Sequence, residues 1–111
     1  METTRQQKVS KQIQKDISDI FLREASEFLR GVITTVTQVR VSPDLSFAKI
    51  YISVFPFAKG EEIVKALTDN NKALRMALSR KMKNQLKSMP EIAFYLDDSL
   101  EYVENIDKLL Q

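Results

Sequence analysis

Apolar residues near the start of the chain recur at the spacing of an amphipathic helix. The stripe consists of Val9, Ile13, Ile17, Ile20, Phe21 and Phe28, with polar residues between its members. Residues three and four positions apart share one face of a helix, and no proline interrupts this stretch. The pattern predicts a long helix from about Thr4 to Phe28 that ends near Gly31, because glycine suits a helix C-terminus.

The next two apolar runs have the composition and alternation of β-strands. Residues 32–41 are rich in Val, Ile and Thr, but they alternate imperfectly, which indicates a bulge or partial burial of both faces. Residues 47–55 alternate more cleanly, with Ala48, Ile50, Ile52 and Val54 on one face and Lys49, Tyr51 and Ser53 on the other. Residues 42–46 supply turn chemistry through proline and aspartate, so we expect an antiparallel hairpin that ends at Pro56.

Two helices are predicted in the second half of the chain. Residues 60–67 form a short one with acidic residues in its first turn, where the helix dipole favours them. Residues 69–71 break or kink it, since asparagine tolerates the left-handed conformation. A longer helix follows from about Lys72 to Lys87 and is stopped by Pro90. Its apolar side consists of Leu74, Leu78, Met82 and Leu86, spaced by four.

A third strand and a last helix complete the predicted order. Residues 91–96 read as a short strand, and Asp98 with Glu101 resembles a capping box for a C-terminal helix. The order is α-β-β-α-α-β plus that helix, an α+β arrangement with a three-stranded sheet and helices on one face. This is the order of a type II KH-like domain. We expect one domain over residues 1–111, with a core of about 1–96 and an acidic helical segment over 97–111.

The composition leaves few routes to catalysis. The 111 residues are 43% hydrophobic and 29% charged, which is typical of one globular domain. Cysteine and histidine are both absent, which excludes a thiolate nucleophile, an imidazole base and the usual zinc ligands. Gly31 and Gly60 are too far apart to build a phosphate-binding loop. No run is long enough for a membrane span or a secretory signal, so we expect a cytoplasmic protein without cofactor or metal.

Charge is distributed unevenly along the second half. Residues 70–90 contain six basic and no acidic residues, whereas residues 91–111 contain six acidic residues and one lysine. The basic residues are Lys72, Arg75, Arg80, Lys81, Lys83 and Lys87, four of which fall on one outward arc of the predicted helix. Such a stretch predicts a polyanion-binding surface. Charge alone is explained equally well by a solvated helix face, or by an internal salt-bridge partner for the acidic end. Lys8, Lys11 and Lys15 on the first helix could extend the basic surface, and surface solubility explains them equally well.

Two further sets of residues are weaker candidates for chemistry. Tyr51, Phe55 and Phe57 are candidates for base stacking, although aromatic residues on a small sheet more often pack, and Arg40 and Lys49 are weaker candidates for RNA contacts. A metal-dependent hydrolase would use Asp97, Asp98 and Glu91. Adjacent residues of a strand point to opposite faces, so turn formation and capping explain the aspartate pair better.

Three segments resemble the ribosome-binding factor A family. Residues 2–21 (ETTRQQKVSKQIQKDISDIF) are similar to its opening helix. Residues 36–55 (VTQVRVSPDLSFAKIYISVF) resemble its hairpin signature, Val-x-Val-Ser-x-Asp-Leu-x-x-Ala-x-Val/Ile-Tyr-Ile/Val-Ser. Residues 89–110 (MPEIAFYLDDSLEYVENIDKLL) are similar to its C-terminal motif, Pro-Glu-Leu/Ile-x-Phe-x-x-Asp-x-Ser. The three blocks lie in the family's order and span nearly the whole chain.

The resemblance implies a non-catalytic assembly factor of the small ribosomal subunit. Members of that family bind the free subunit late in assembly, contact 16S ribosomal RNA near the neck and the 5′-end region, support maturation of that end and matter for growth in the cold. On this basis we expect residues 70–90 to bind ribosomal RNA, and we expect a monomer. The alternative is a general RNA- or DNA-binding module outside the ribosome, which rests on charge alone.

The chain departs from the family pattern between its two central helices. The family carries Ala-x-Gly at that kink, whereas residues 68–74 read TDNNKAL and contain no glycine. We therefore expect Asn70 or Asn71 to make the kink, or the angle between the helices to differ. No Gly-x-x-Gly pattern occurs either, so the clamp that ordinary KH domains use on single strands is missing.

Overall fold

The structure, a computed structural model, describes residues 3–23, 29–83, 86 and 88–97. The elements are α1 (Thr4–Arg23), β1 (Ile33–Val41), β2 (Phe47–Phe55), a short 3-10 turn (Phe57–Lys59), α2 (Gly60–Asp69), α3 (Asn71–Lys81) and β3 (Glu91–Leu96). This order confirms the predicted α-β-β-α-α-β arrangement. The predicted C-terminal helix, the predicted end of the first helix at Phe28 and Lys87 lie outside the described residues, and the division into core and acidic segment stays a prediction.

The three strands form one mixed sheet in the order β1-β2-β3. β1 and β2 pair antiparallel, with Val39 opposite Ile50, which confirms the hairpin. β3 runs parallel to β2 and places Phe94 beside Ile50. The register of the hairpin shifts between Val36 and Gln38, so the imperfect alternation of β1 does reflect a bulge.

The hairpin turn is held by hydrogen bonds that converge on Asp44. Its Oδ1 atom accepts from the hydroxyl groups of Ser42 and Ser46, each at 2.7 Å, and from the Ser46 backbone N–H at 3.1 Å. The hydrogen bonds from Ser46 and then Ser42 lower the pKa of the Asp44 carboxyl from 3.8 to about 2. The predicted turn role of this aspartate is confirmed, and it fixes the register of the two strands.

The helices cover one face of the sheet and enclose the core there. Ile13, Ile17 and Ile20 of α1 are fully buried, as are Ile50 and Ile52 of β2. The apolar stripe predicted on the first helix therefore forms the core face within the described residues. Among those residues, no helix combines the length and apolar character needed to cross a membrane.

The break between α2 and α3 falls at Asn70, without a glycine. Its backbone angles are φ −104° and ψ 15°, so the expected left-handed conformation was wrong. The Asn70 side-chain amide instead donates to the carbonyl oxygen of Ala66 at 2.8 Å, and its backbone N–H also donates there. A side chain that bonds to the preceding turn can end a helix at negative φ.

The second central helix is shorter than its apolar spacing predicts. α3 ends at Lys81 rather than at Lys87, and Met82 caps it with a hydrogen bond to the Leu78 carbonyl oxygen. Met82 is nevertheless buried, and Leu86 is partly buried against the core. Apolar residues of the four-residue spacing are therefore buried beyond the end of the helix. The spacing overestimates the length of α3 by about one and a half turns.

Candidate nucleic-acid interface

Four exposed basic residues follow one another along the first half of α1. They are Arg5, Lys8, Lys11 and Lys15, which fall within an arc of about 120° on the helix surface. Together with Gln12 they line an open groove of about 530 Å³, whose other lining residues are Val9, Met82 and Leu86. We call this the basic groove. It combines a cationic rim with a floor of apolar side chains from α1 and the segment after α3.

The start of α1 is fixed by a capping box that orients the basic groove. The Thr3 backbone N–H donates to Gln6 Oε1 at 2.8 Å, and the Gln6 N–H donates to Thr3 Oγ1 at 3.1 Å. The same glutamine is buried, and its Nε2 donates to the Val41 carbonyl oxygen at 2.9 Å. The helix start is thereby tied to the end of β1, so the flanking arginine and lysines project from a fixed backbone.

Within the described residues, the positive charge of this half of α1 is not neutralised by ion pairs. Residues 4–15 contain no acidic residue, and none of the four cations enters an ion pair with the residues that the structure describes. The next residue along α1, Asp16, is acidic, but it is buried and accepts from Gln12 Nε2 at 2.9 Å. Positive charges without counterparts raise the local potential, which attracts polyanions.

The predicted basic residues after the helix break separate into two groups. Lys72 and Arg80 are exposed on α3, and Lys83 is exposed in the turn that follows it. These three keep their ammonium and guanidinium groups available to a ligand. Because α3 ends before Lys83, the predicted single outward stripe is wrong as a helical feature, and Lys83 borders instead a small groove with Leu86.

Arg75 and Lys81, by contrast, have partners within the fold. Arg75 donates from Nε to the Pro90 carbonyl oxygen at 2.9 Å and lies 3.7 Å from Glu91. Lys81 forms an ion pair with Asp19 of α1. This hydrogen bond from Lys81 is the main cause of a lowered pKa of the Asp19 carboxyl. Both cations therefore connect elements of the fold, a role that the sequence prediction did not separate from RNA contact.

Sequence reasoning missed Arg5 as a member of the basic groove. Its signal was present, since it precedes Lys8 by three residues and shares that side of the helix. Of the carboxylates weighed for metal chemistry, the two that the structure describes do not converge. Glu91 and Asp97 lie at opposite ends of β3, and Asp97 accepts from the Thr37 hydroxyl at 2.6 Å. In the part of the chain that the structure describes, no three potential ligands come together. Asp98 lies outside it.

The aromatic candidates form two pairs. The rings of Phe55 and Phe57 lie edge to face with centroids 5.6 Å apart, which is a packing geometry. Tyr51 of β2 lies beside Tyr95 of β3, with centroids 5.6 Å apart and planes inclined by 31°. Sequence reasoning named the first tyrosine and missed the second, because the parallel pairing that joins them is not visible in the local pattern.

Comparisons with known proteins agree with this architecture. The Thermus thermophilus ribosome-binding factor A crystal structure superposes with a TM-score of 0.68 at 22% identity, covering 82% of this chain and 94% of that one. Coordinates of the T. thermophilus factor fitted into the cryo-EM map of a 30S complex give a TM-score of 0.64 at 22% identity, with coverages of 80% and 91%. The fold is thus KH-like.

Sequence comparison extends over nearly the whole chain. Ribosome-binding factor A of Christiangramia forsetii is 40% identical over 111 residues, which cover 99% of this chain and 85% of the relative. The family described as Ribosome-binding factor A matches residues 5–110. The match includes the residues of the basic groove and those of the hairpin turn. The chain belongs to the ribosome-binding factor A family.

Proposed function

We propose that this protein is a non-catalytic assembly factor that binds the small (30S) ribosomal subunit through 16S ribosomal RNA during late maturation. Membership of the family and the 30S complex of a relative support this proposal. The finer parts of the proposal are participation in 5′-end processing of 16S ribosomal RNA, a cytoplasmic location, a monomeric state and a role in growth in the cold.

The basic groove is the observation that carries the proposal structurally. Phosphates of RNA are neutralised by lysine and arginine, and the release of condensed counterions favours binding without reading the sequence. Folded ribosomal RNA presents phosphates and 2′-hydroxyl groups in a fixed shape, so a cationic surface held on a rigid helix is suited to it. Arg5, Lys8, Lys11 and Lys15 meet both requirements, because they are exposed, clustered and held by the anchored start of α1.

The basic residues after the helix break extend this surface in our proposal. Lys72, Arg80 and Lys83 are exposed and supply further phosphate contacts, and Lys87 is assigned to the same set from its sequence position. In our proposal, Arg75 and Lys81 have a structural role behind these phosphate contacts. Arg75 holds the chain at Pro90, just before β3, and Lys81 holds α3 against Asp19 of α1.

The experiment is co-sedimentation of the protein with immature small subunits, mature small subunits, large subunits and assembled ribosomes across a salt series. The proposal expects preferential co-migration with free small subunits, lost as the salt concentration rises. Excess transfer RNA and duplex DNA serve as competitors. Equal binding to all particles, or complete displacement by either competitor, would favour the general nucleic-acid-binding module over the assembly factor.

A further inference from the structure

The face of the sheet opposite the helices carries two tyrosines and two cations on adjacent strands. Tyr51 on β2 lies opposite Gln38 of β1 and beside Tyr95 of β3. In the neighbouring row, Lys49 on β2 lies opposite Arg40 of β1. We call Arg40, Lys49, Tyr51 and Tyr95 the open-face cluster. Alternation along each strand places these four side chains on the face away from the core.

The tyrosines of this cluster are not core residues. Tyr95 is 41% exposed, whereas its neighbour Phe94, which points to the helix side, is 5% exposed. Tyr51 is half-buried beside it. Hydrophobic burial therefore explains Phe94 but leaves a large part of Tyr95 in contact with solvent. An aromatic pair at 5.6 Å with one exposed member offers a flat surface to an incoming ring.

The cations are placed at the margin of that aromatic surface. Lys49 Nζ lies 5.8 Å from the centroid of the Tyr95 ring, near the outer limit of a cation–π contact. With the Gln38 amide turned to satisfy its neighbours, its oxygen accepts from Arg40 Nε at 3.0 Å. The arginine is thus held along β1, while the lysine is only weakly held and is able to turn towards a phosphate.

We propose that the open-face cluster binds a short single-stranded RNA segment by stacking its bases on Tyr95 and Tyr51. Lys49 and Arg40 neutralise the phosphates that connect those bases. Aromatic rings accept any base, and adjacent cations track the backbone, so such a site binds single strands with little sequence preference. The site lies on the face opposite the core. It rests on the proposed function only in that the strand is ribosomal RNA.

Tyrosine emission reports this contact directly. The chain contains three tyrosines and no tryptophan, so a Tyr102→Phe background leaves emission from Tyr51 and Tyr95 alone. This protein is titrated with a labelled single-stranded oligoribonucleotide of about eight nucleotides, which fits the usual size of such sites. Anisotropy gives the affinity and emission gives the stacking. Duplex RNA of equal absorbance controls for absorption of the exciting light.

The expected result is quenching by the single strand beyond the duplex control. Tyr95→Ala weakens the affinity at least roughly fivefold, the lower end of what one stacked base contributes, whereas Tyr95→Phe retains it. Circular dichroism and unfolding midpoints confirm that both variants fold. Lys49→Gln weakens binding and reduces its salt dependence.

Three outcomes overturn the inference: no quenching beyond the duplex control, equal affinities of the Tyr95→Ala and Tyr95→Phe proteins, or quenching by an acidic peptide but not by RNA. The last would assign the face to a protein partner. The two proposals fail separately. Charge-neutralising variants of the basic groove test subunit binding and leave the tyrosines intact. Quenching without subunit binding would contradict the assembly role and support the single-strand site. Subunit binding without quenching would support the assembly role and contradict the single-strand site.

Discussion

Arg75 donates a hydrogen bond from Nε to the carbonyl oxygen of Pro90 at 2.9 Å. Its Nη2 also donates to the carbonyl oxygen of Met89 at 2.6 Å. Two consecutive carbonyl groups just before β3 are thereby satisfied by one side chain of α3. The guanidinium presents several donors in a fixed plane, which suits it to hold two neighbouring backbone acceptors. This arginine fixes where the chain enters its third strand.

Arg75→Gln should therefore destabilise the protein. Loss of hydrogen bonds from a charged donor to partly buried carbonyl oxygens costs about 1–3 kcal/mol in the free energy of unfolding. The matched control is Arg80→Gln, since Arg80 is exposed on the same helix and should change stability by about 0.5 kcal/mol or less. Urea unfolding measures both. If the two variants were equally stable, the contact with Pro90 would have no structural importance.

The same two variants, Arg75→Gln and Arg80→Gln, distinguish a structural cation from an RNA-binding one. Arg80→Gln should weaken binding to small subunits, because it removes a phosphate contact, while Arg75→Gln should bind nearly normally once folded. Co-sedimentation at a temperature well below both unfolding midpoints makes this comparison. A loss confined to the Arg75 variant would return that residue to the RNA-binding set.

The contact between Arg75 and Pro90 also shows why the sequence pattern overestimated the length of α3. The apolar spacing identifies side chains that pack against the core, namely Leu74, Leu78, Met82 and Leu86. A helix and a compact turn can both produce this spacing. A helix continued to Lys87 would carry the chain about 18 Å along its axis from Arg75. The Pro90 carbonyl has to lie within hydrogen-bond distance of that arginine, so the chain turns back earlier. Long-range contacts of this kind are absent from a local pattern.

Most of the remaining fold follows from local signals. The stripe of α1, the turn around Asp44 and the break at Asn70 are each set by residues within a few positions. The candidate site was less accessible to prediction. Charge identifies Lys81 as a cation, but only tertiary packing brings Asp19 next to it. The parallel pairing of β3 with β2, which joins the two tyrosines, is likewise decided by the connection through two helices.

Removing charge from the basic groove should lower the salt dependence of RNA binding. Lys8→Gln combined with Lys11→Gln removes two phosphate contacts, so the slope of log affinity against log salt should fall by roughly 1.4–1.8. The control, Lys59→Gln with Lys65→Gln, makes the same change of net charge at exposed positions outside the groove. Equal slopes for the two double variants would mean that net charge rather than the groove attracts RNA.

The buried face of α3 predicts a large effect of truncation at Leu78. This side chain is 0% exposed in the core, so Leu78→Ala should lower the free energy of unfolding by about 2–5 kcal/mol. Met76 lies two residues earlier and is 55% exposed, and Met76→Ala should change stability by about 0.5 kcal/mol or less. Chemical denaturation compares them. Similar values for both would contradict the assignment of the helix faces.

The lowered pKa of Asp44 predicts that the hairpin weakens in acid. Its carboxyl has a pKa of about 2 in the folded protein, below the ordinary value of 3.8, because Ser46 and Ser42 donate hydrogen bonds to the charged form. The unfolded chain then binds more protons than the folded chain between these values. The contribution of Asp44 to stability is therefore present above pH 3.8 and is lost as the pH falls through about 2.

Asp44→Asn isolates this effect, because the amide keeps an acceptor oxygen in the turn but does not titrate. The wild-type urea midpoint should fall more than that of the variant between about pH 5 and about pH 2. The NMR titration of the Asp44 carboxyl gives its pKa directly. Parallel pH profiles for the two proteins would show that the serine hydroxyls do not favour the charged form of Asp44.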